Sequence, residues 1–392
     1  MHSERAANPV SRLTEPLGGR LIHREATPKD LEEIPELQVL RVPETTLMDC
    51  EQFAFGTYSP LTGFMDRDIL ASVLDSCRLP SGEPWTLPIV LQTLRSEAAG
   101  IARGERIALA GETGEPTALI DVTDIYTLDM DNFCQAFFGT TSDAHPGVAR
   151  VKNAGSTFIG GDITQIGPLR APRRQDHLTP AQTRHIFTQM GWSRVVAFHG
   201  RNPAHRAHET IQLTALERTG ADGLYINPVI GPKKAGDFLP DPIMDSYRAV
   251  LDAGCYPEGK VVLGSFSTYS RYAGPREAVF TALCRKNMGC SHFIIGRDHT
   301  GVGDFYGADA NRDLFEEMGD IGIAPVFFEP IGYNPKTGKY DTAANAETQS
   351  ISGTQARETL KAGKALPEWF MRDIVQKVLL EYIADGRPLF CE

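Results

Sequence analysis

The sequence predicts a mixed α/β protein in three parts: a mostly β N-terminal domain over 1–168, a central parallel-sheet domain over 169–330, and a small helical C-terminal domain over 331–392. Three observations carry this. The first stretch holds short apolar runs broken by Gly and Pro. From about residue 194, strand-length apolar runs alternate with helix-length stretches, the pattern of βαβ units. Beyond about 331 a polar loop gives way to helical patterning. The length of 392 residues also asks for two or three domains.

Taken in order, Gly18–Ile22, Trp85–Leu91 and Arg106–Ala110 read as strands between turns. His145 beside Pro146 reads as a turn residue. The polar link Arg170–Asp176 marks a domain boundary, and Thr179-Pro180 starts a helix, with Thr as cap and Pro at the first position. Strands follow at 194–198, 223–230, 260–264 and 292–296, with helices at 204–218, 241–253 and 275–288 between them. Such a sheet presents ligands at the carboxyl ends of its strands. Gly332–Lys339 reads as a loop.

The stretch from Val195 to Glu209 is the most informative. Val195-Val196-Ala197-Phe198 is a buried strand. His199-Gly200-Arg201-Asn202-Pro203 is a tight polar turn, and a helix running to Gly220 starts at Ala204, with Pro203 at its mouth. A helix start offers free N–H groups and a positive dipole end to an anion. His205 and His208, three apart, share one face of its first turn, and Arg201 and Asn202 stand just before them. These donors point to phosphate. A zinc pair is disfavoured, because no third ligand or paired-Cys spacing accompanies them; a merely solvated face is the other alternative.

Composition sets limits. The net charge of −11 argues against a general nucleic-acid or anionic-membrane surface, so positive charge must be gathered locally. No apolar run is long enough to span a bilayer, and the N-terminus lacks the apolar core of a signal peptide. The cytoplasm is therefore expected. Seven scattered Cys without a Cys-x-x-Cys make neither a disulfide framework nor a structural zinc site. No Gly-x-x-x-x-Gly-Lys-Ser/Thr phosphate loop occurs.

Arg201-Asn202-Pro203-Ala204-His205-Arg206-Ala207-His208, with Gly296-Arg297-Asp298-His299-Thr300-Gly301 and Ile351-Ser352-Gly353-Thr354-Gln355-Ala356-Arg357, resembles the ATP sulfurylase (sulfate adenylyltransferase) family. Tyr58–Met65 and His145–Val148 are similar to the family's N-terminal landmarks. The resemblance runs from Gly18 to Arg372. It implies a PUA-like N-terminal barrel, a HUP-type nucleotidyltransferase domain, and transfer of adenylyl from ATP to sulfate. It implies Arg201, Asn202, His205, His208 and Arg297 as catalytic residues. His199, Arg201, Arg297 and Thr300 would hold sulfate. Asn202, His205, His208, Gly296, Asp298, Ser352 and Thr354 would hold ATP, and a mobile basic loop with Lys233 and Lys234 would take pyrophosphate, unless that Lys pair is simply solvated. Mg²⁺ is expected to arrive with ATP, with no protein metal site and no structural zinc; the expected assembly is a homo-oligomer, a dimer.

The chain departs from the family pattern in four places. His199-Gly200 stand where Gln-Thr is usual, Asn227 where His is usual, and Thr300 where Ala is usual; the Cys-rich cluster often found near 331–348 is missing. If protonated, His199 would give sulfate a charged donor and make sulfate binding weaken as pH rises. The alternatives are a nucleotidyltransferase acting on another oxyanion or acid, and a non-catalytic homologue that binds ATP only.

Overall fold

A computed structural model describes residues 12–167, 174–296 and 299–391. The N-terminal part runs through α1 (Pro28–Glu33), β1 (Val39–Arg41), α2 (Glu44–Ala54), β2 (Gly63–Phe64), α3 (Arg67–Ser76), β3 (Leu91–Thr93), β4 (Arg106–Ala110), β5 (Pro116–Thr127), α4 (Met130–Phe138), α5 (Pro146–Asn153) and β6 (Thr157–Gln165). Its six strands form one sheet in the order β1-β4-β5-β6-β2, with β3 also paired to β6. Only β1–β4 is parallel. Side chains named by the helix starts cap them: Thr27 for α1, Asp66 for α3 and Asp129 for α4. Gly63 lets β2 lie close on β6, since a Cβ there would meet the Gly161 carbonyl oxygen at 1.9 Å.

Two expected strands differ. Leu17–Gly19 is a 3₁₀ turn, because Gly18 (φ 72°) and Gly19 (φ 81°) are left-handed, which no strand admits. In Trp85–Leu91 only Leu91 joins a strand; Trp85, Leu87 and Ile89 are nonetheless buried. Their apolarity serves the core, while Pro84 and Pro88 have no N–H to give a ladder.

The central part runs through α6 (Pro180–Gln189), β7 (Val195–Phe198), α7 (Arg206–Thr219), β8 (Gly223–Ile226), α8 (Pro240–Asp252), β9 (Val261–Leu263), α9 (Pro275–Asn287), β10 (His292–Ile295), α10 (Ala310–Met318) and β11 (Ala324–Phe327). All pairings of its sheet are parallel, in the order β11-β10-β7-β8-β9. The chain therefore winds from β7 to one edge, then returns to add β10 and β11 on the other side. That reversal opens a crevice beyond the carboxyl ends of β7 and β10. Thr179 caps α6 in a capping box with Gln182, and Gly220 (φ 55°) closes α7, both as expected.

Strand alternation divides β7 between two cores. Val195 and Ala197 pack with Phe280 and Leu283 of α9 and with Phe53, Tyr58 and Trp85 of the N-terminal part. Val196 and Phe198 face Tyr247 and Val250 of α8, together with Leu360, Val375 and Leu379. The last three belong to the C-terminal segment, which forms β12 (Ile331–Asn334), β13 (Lys339–Thr342), α11 (Gly353–Lys361) and α12 (Asp373–Ala384). Its stretch Gly332–Lys339, expected as a loop, is an antiparallel hairpin instead. Tyr333 pairs with Tyr340 across it and stacks on Trp369 at 5.1 Å and 9°, a long-range contact that makes strands of it.

The N-terminal part is braced against the central sheet by a buried ion pair. Arg271 donates to Asp49 at 2.5 Å, and Asp49 also accepts from Tyr58 and Tyr269. Among the described residues no helix is long and apolar enough to cross a membrane.

Candidate active site

Past Phe198 the chain turns outward through Gly200-Arg201-Asn202. The turn is tied down from α8: Ala204 N–H donates to Ser246 Oγ (2.9 Å), which donates to the Ile243 carbonyl (2.6 Å). The helix then begins two residues later than the sequence suggests. His205 is its N-cap in extended conformation (φ −144°), and Arg206 is the first helical residue. Pro203 therefore lies in the turn, where its locked φ shapes the loop. The Arg206 N–H donates to the Phe370 carbonyl at 2.9 Å. Glu209, buried in the first helical turn, takes a bidentate ion pair from Arg372 (2.7 and 2.8 Å) and cannot act as a free carboxylate toward the crevice.

The two histidines still meet. Their ring centroids lie 3.7 Å apart, His205 stacks on Phe370 (5.4 Å, 4°), and His208 sits 5.0 Å from Phe198. Burial pulls His205 down to about 4; burial and the neighbouring ring pull His208 well below the ordinary value. Both are neutral at physiological pH. Each has a buried Nδ1 without a partner among the described residues, hydrogen-bonding capacity held in reserve for a ligand.

The second loop leaves β10 at Gly296. Thr300 there is left-handed (φ 58°), an uncommon state for a β-branched residue and one expected to be strained. It is pinned by its hydroxyl, which donates to the Gly274 carbonyl (2.9 Å) at the start of α9. Between the two loops lies a cavity of about 270 Å³. His199, Arg201, Asn202, His208, Gly296 and Thr300 line it, with Ser270 and His299 completing its polar wall. None of the described residues lining it is acidic. Two further hollows of about 170 Å³ each continue from Gly296 and His299 towards Asn311 of α10. A long crevice with donors at one end suits an extended anion such as a nucleotide.

Residues 174–382 match the family model described as ATP-sulfurylase, and residues 14–168 the one described as a PUA-like domain. The chain belongs to the ATP sulfurylase family. It is 40% identical over 388 residues to the sulfate adenylyltransferase of Symbiobacterium thermophilum, covering 95% of this chain and 97% of that one. The sulfate adenylyltransferase of Pyrococcus abyssi is 40% identical over 379 residues, covering 94% and 98%. Among solved structures, the hexameric APS kinase from Thiobacillus denitrificans shares the fold, with a TM-score of 0.75 at 24% identity over 94% of this chain and 68% of that one.

Not every residue implied by the ATP sulfurylase resemblance comes to the cavity. Ser352 caps α11, accepting from Gln355 N–H (3.2 Å) in a capping box, and Thr354 accepts from Arg357 (3.4 Å); neither lines the cavity. Lys233 lies close enough to His199 to disfavour its proton; its ammonium donates to the Val229 carbonyl (2.6 Å), and burial lowers it to about 8. The loop that carries Lys233 and Lys234 is anchored at its far end. Gly236 N–H donates to the Cys391 carbonyl and Cys391 N–H to the Asp237 carbonyl, both at 2.8 Å, so the C-terminal tail holds it. Arg297 and Asp298 lie outside the described residues.

The conditional expectation of a protonated His199 meets surroundings that disfavour the proton. Arg285 of α9 donates to its Nδ1 at 2.9 Å. Burial, then Arg285, His299, Lys233 and Arg201, all push its proton affinity well below the ordinary value. Together they favour the neutral ring. Asn227, another departure from the family pattern, meets the same guanidinium: its carbonyl accepts from Arg285 at 3.2 Å. Arg285 and Ser246 escape sequence reading. A basic residue in the last turn of a helix looks like a surface charge on the dipole's negative end, and nothing local reveals that α9 is buried there. His145, expected as a turn residue, is the buried N-cap of α5, its Nδ1 accepting from Gly147 and Val148 N–H; its Nε2 also lies 3.0 Å from the Tyr272 carbonyl, tying it to the crevice wall.

Proposed function

We propose that this chain is a sulfate adenylyltransferase that joins sulfate to the α-phosphorus of MgATP, forming adenosine 5′-phosphosulfate and releasing pyrophosphate. Sulfate is already fully ionised at neutral pH, so its oxygen attacks without a general base. The work is to bring two anions together and to stabilise charge during an in-line displacement. A cavity at the sheet's reversal point, lined by donors and by no described carboxylate, is the observation that carries this reading.

In it, Arg201 and His199 take the sulfate with Thr300, and Arg297 joins them. Asn202 and His208 hold the ATP phosphates together with His205, which lies against His208 just outside the cavity lining. Gly296 and Asp298 face the nucleoside, and Ser352 and Thr354 approach it only if α11 moves. Lys233 and Lys234 receive the departing pyrophosphate. Mg²⁺ belongs to the nucleotide as part of the substrate; among the described residues no group of three His, Cys, Asp or Glu side chains is gathered to hold a metal. The three-part division at 168 and 330, and a cytoplasmic homodimer, are also part of this proposal.

The test is pyrophosphate release from MgATP with sulfate and, separately, with other oxyanions. Release that requires sulfate and yields adenosine 5′-phosphosulfate one for one is expected. Equal release without sulfate, or faster release with another acid, would reject the assignment.

A further inference from the structure

Behind the cavity stands a cation with no counter-ion among the described residues. Arg285 is completely buried, yet no carboxylate pairs with it among the described residues. Its guanidinium lies 4.3 Å from the Phe266 ring centre and 5.8 Å from that of Phe293, and its Nε and Nη1 have no hydrogen-bond partner among the described residues. Burying an unpaired charge costs several kcal/mol. Its one side-chain hydrogen-bond partner among the described residues is His199.

A guanidinium can only donate, so the bond fixes Nδ1 of His199 as the acceptor. The neutral ring then carries its proton on Nε2. That nitrogen has no partner among the described residues, and the ring lines the cavity beside Arg201 and Thr300. We propose that Arg285 is a positioning residue that locks His199 as a neutral Nε2–H donor, making this end of the cavity selective for an oxyanion that carries no proton. A free imidazole can exchange tautomers and accept a hydrogen bond; the locked one cannot. Sulfate presents only lone pairs, whereas hydrogen phosphate also presents a P–OH that needs an acceptor. An unmet buried donor is penalised strongly, which is how shape-alike anions become distinguishable.

The groups facing His199 reinforce the lock. Arg285 on α9, His299 after β10, Lys233 after β8 and Arg201 on its own loop all disfavour a second ring proton. Sulfate affinity is therefore expected to be level from mildly acidic to neutral pH, and to weaken only above that, where Lys233 loses its proton near 8.

The inference rests on the sulfate reading of the site, and its test separates the two. With ¹⁵N-labelled histidine, the signal missing from His199→Gln identifies the ring. The native protein is expected to show Nδ1 bare and Nε2 protonated at neutral pH, with or without sulfate. A protonated Nδ1, or an imidazolium, would overturn the lock whatever the enzyme's substrate. Arg285→Met, which fills similar space without donors, is expected to give a mixture of tautomers. It should raise the sulfate KM about tenfold or more, the scale of one bond to a charged group. The MgATP KM should hold, while phosphate becomes a stronger competitor of sulfate relative to the sulfate KM. Unchanged tautomer and unchanged sulfate KM in a folded Arg285→Met would also overturn it. If that variant does not fold, Arg285→Lys with the native ¹⁵N spectrum decides. A native protein that shows the locked tautomer but never uses sulfate would reject the functional reading alone.

Discussion

Replacing His208 with Ala removes a ring that lines the cavity at the first turn of α7. The ring is neutral, because burial and the adjacent His205 hold its proton affinity well below the ordinary value. It can therefore offer one N–H to a phosphate oxygen on which charge develops. Loss of a single donor of that kind lowers kcat about 10²- to 10³-fold, roughly 3–4 kcal/mol of transition-state stabilisation. Stability should change far less, by about 1 kcal/mol, since the ring borders space already open to the crevice. His208→Gln, which keeps a donor on a similar stem, should retain more activity than His208→Ala. The assay is steady-state pyrophosphate release at saturating MgATP and sulfate, with a thermal melt of each variant beside it. A near-native kcat for His208→Ala would refute the phosphate role. A loss tracking a collapsed melting temperature would make the residue structural.

Other consequences concern acid, the brace and metal. His205 is neutral when folded, with a pKa near 4 against 6.5 when unfolded. Its contribution to stability is thus complete above about 6.5 and disappears as pH falls towards 4, by about 3 kcal/mol at most at about 1.4 kcal/mol per tenfold in proton affinity. His199, His208 and His299 are shifted in the same direction, so urea unfolding should show stability falling across that window; a level profile would contradict their buried neutral state. Asp49→Asn leaves Arg271 buried without its partner and should cost about 3–5 kcal/mol. An unchanged unfolding midpoint would show that the pair does not brace the N-terminal part. Purified protein should carry no stoichiometric zinc and should need added Mg²⁺ for turnover; one tightly held zinc per chain by elemental analysis would count against the assignment.

What was legible in the sequence was local. Four apolar residues followed by Gly and Asn-Pro announce a strand entering a turn, and a left-handed Gly220 ends the helix where expected. What escaped depends on contacts far along the chain. Pro203 suggested a helix start, but the Ser246 bond to Ala204 holds the turn two residues longer. The hairpin at 331–342 hides behind a loop-like Asn-Pro-Lys-Thr-Gly, and it takes Trp369, some thirty residues on, to give Tyr333 a surface. His199 looked like a group to be protonated until Arg285, from a helix two strands later, supplied the bond to Nδ1. The strand order that brings Arg201 and Thr300 to one cavity is likewise a long-range property.

The central claim is that sulfate itself attacks the α-phosphorus of ATP in this crevice. Supply sulfate with all its oxygens labelled as ¹⁸O, together with unlabelled MgATP, and weigh the product by mass spectrometry. Direct attack predicts adenosine 5′-phosphosulfate that keeps every labelled oxygen, including the one bridging phosphorus and sulfur, with one pyrophosphate released per product. A product that has lost one label, or pyrophosphate that appears without labelled product, would contradict it.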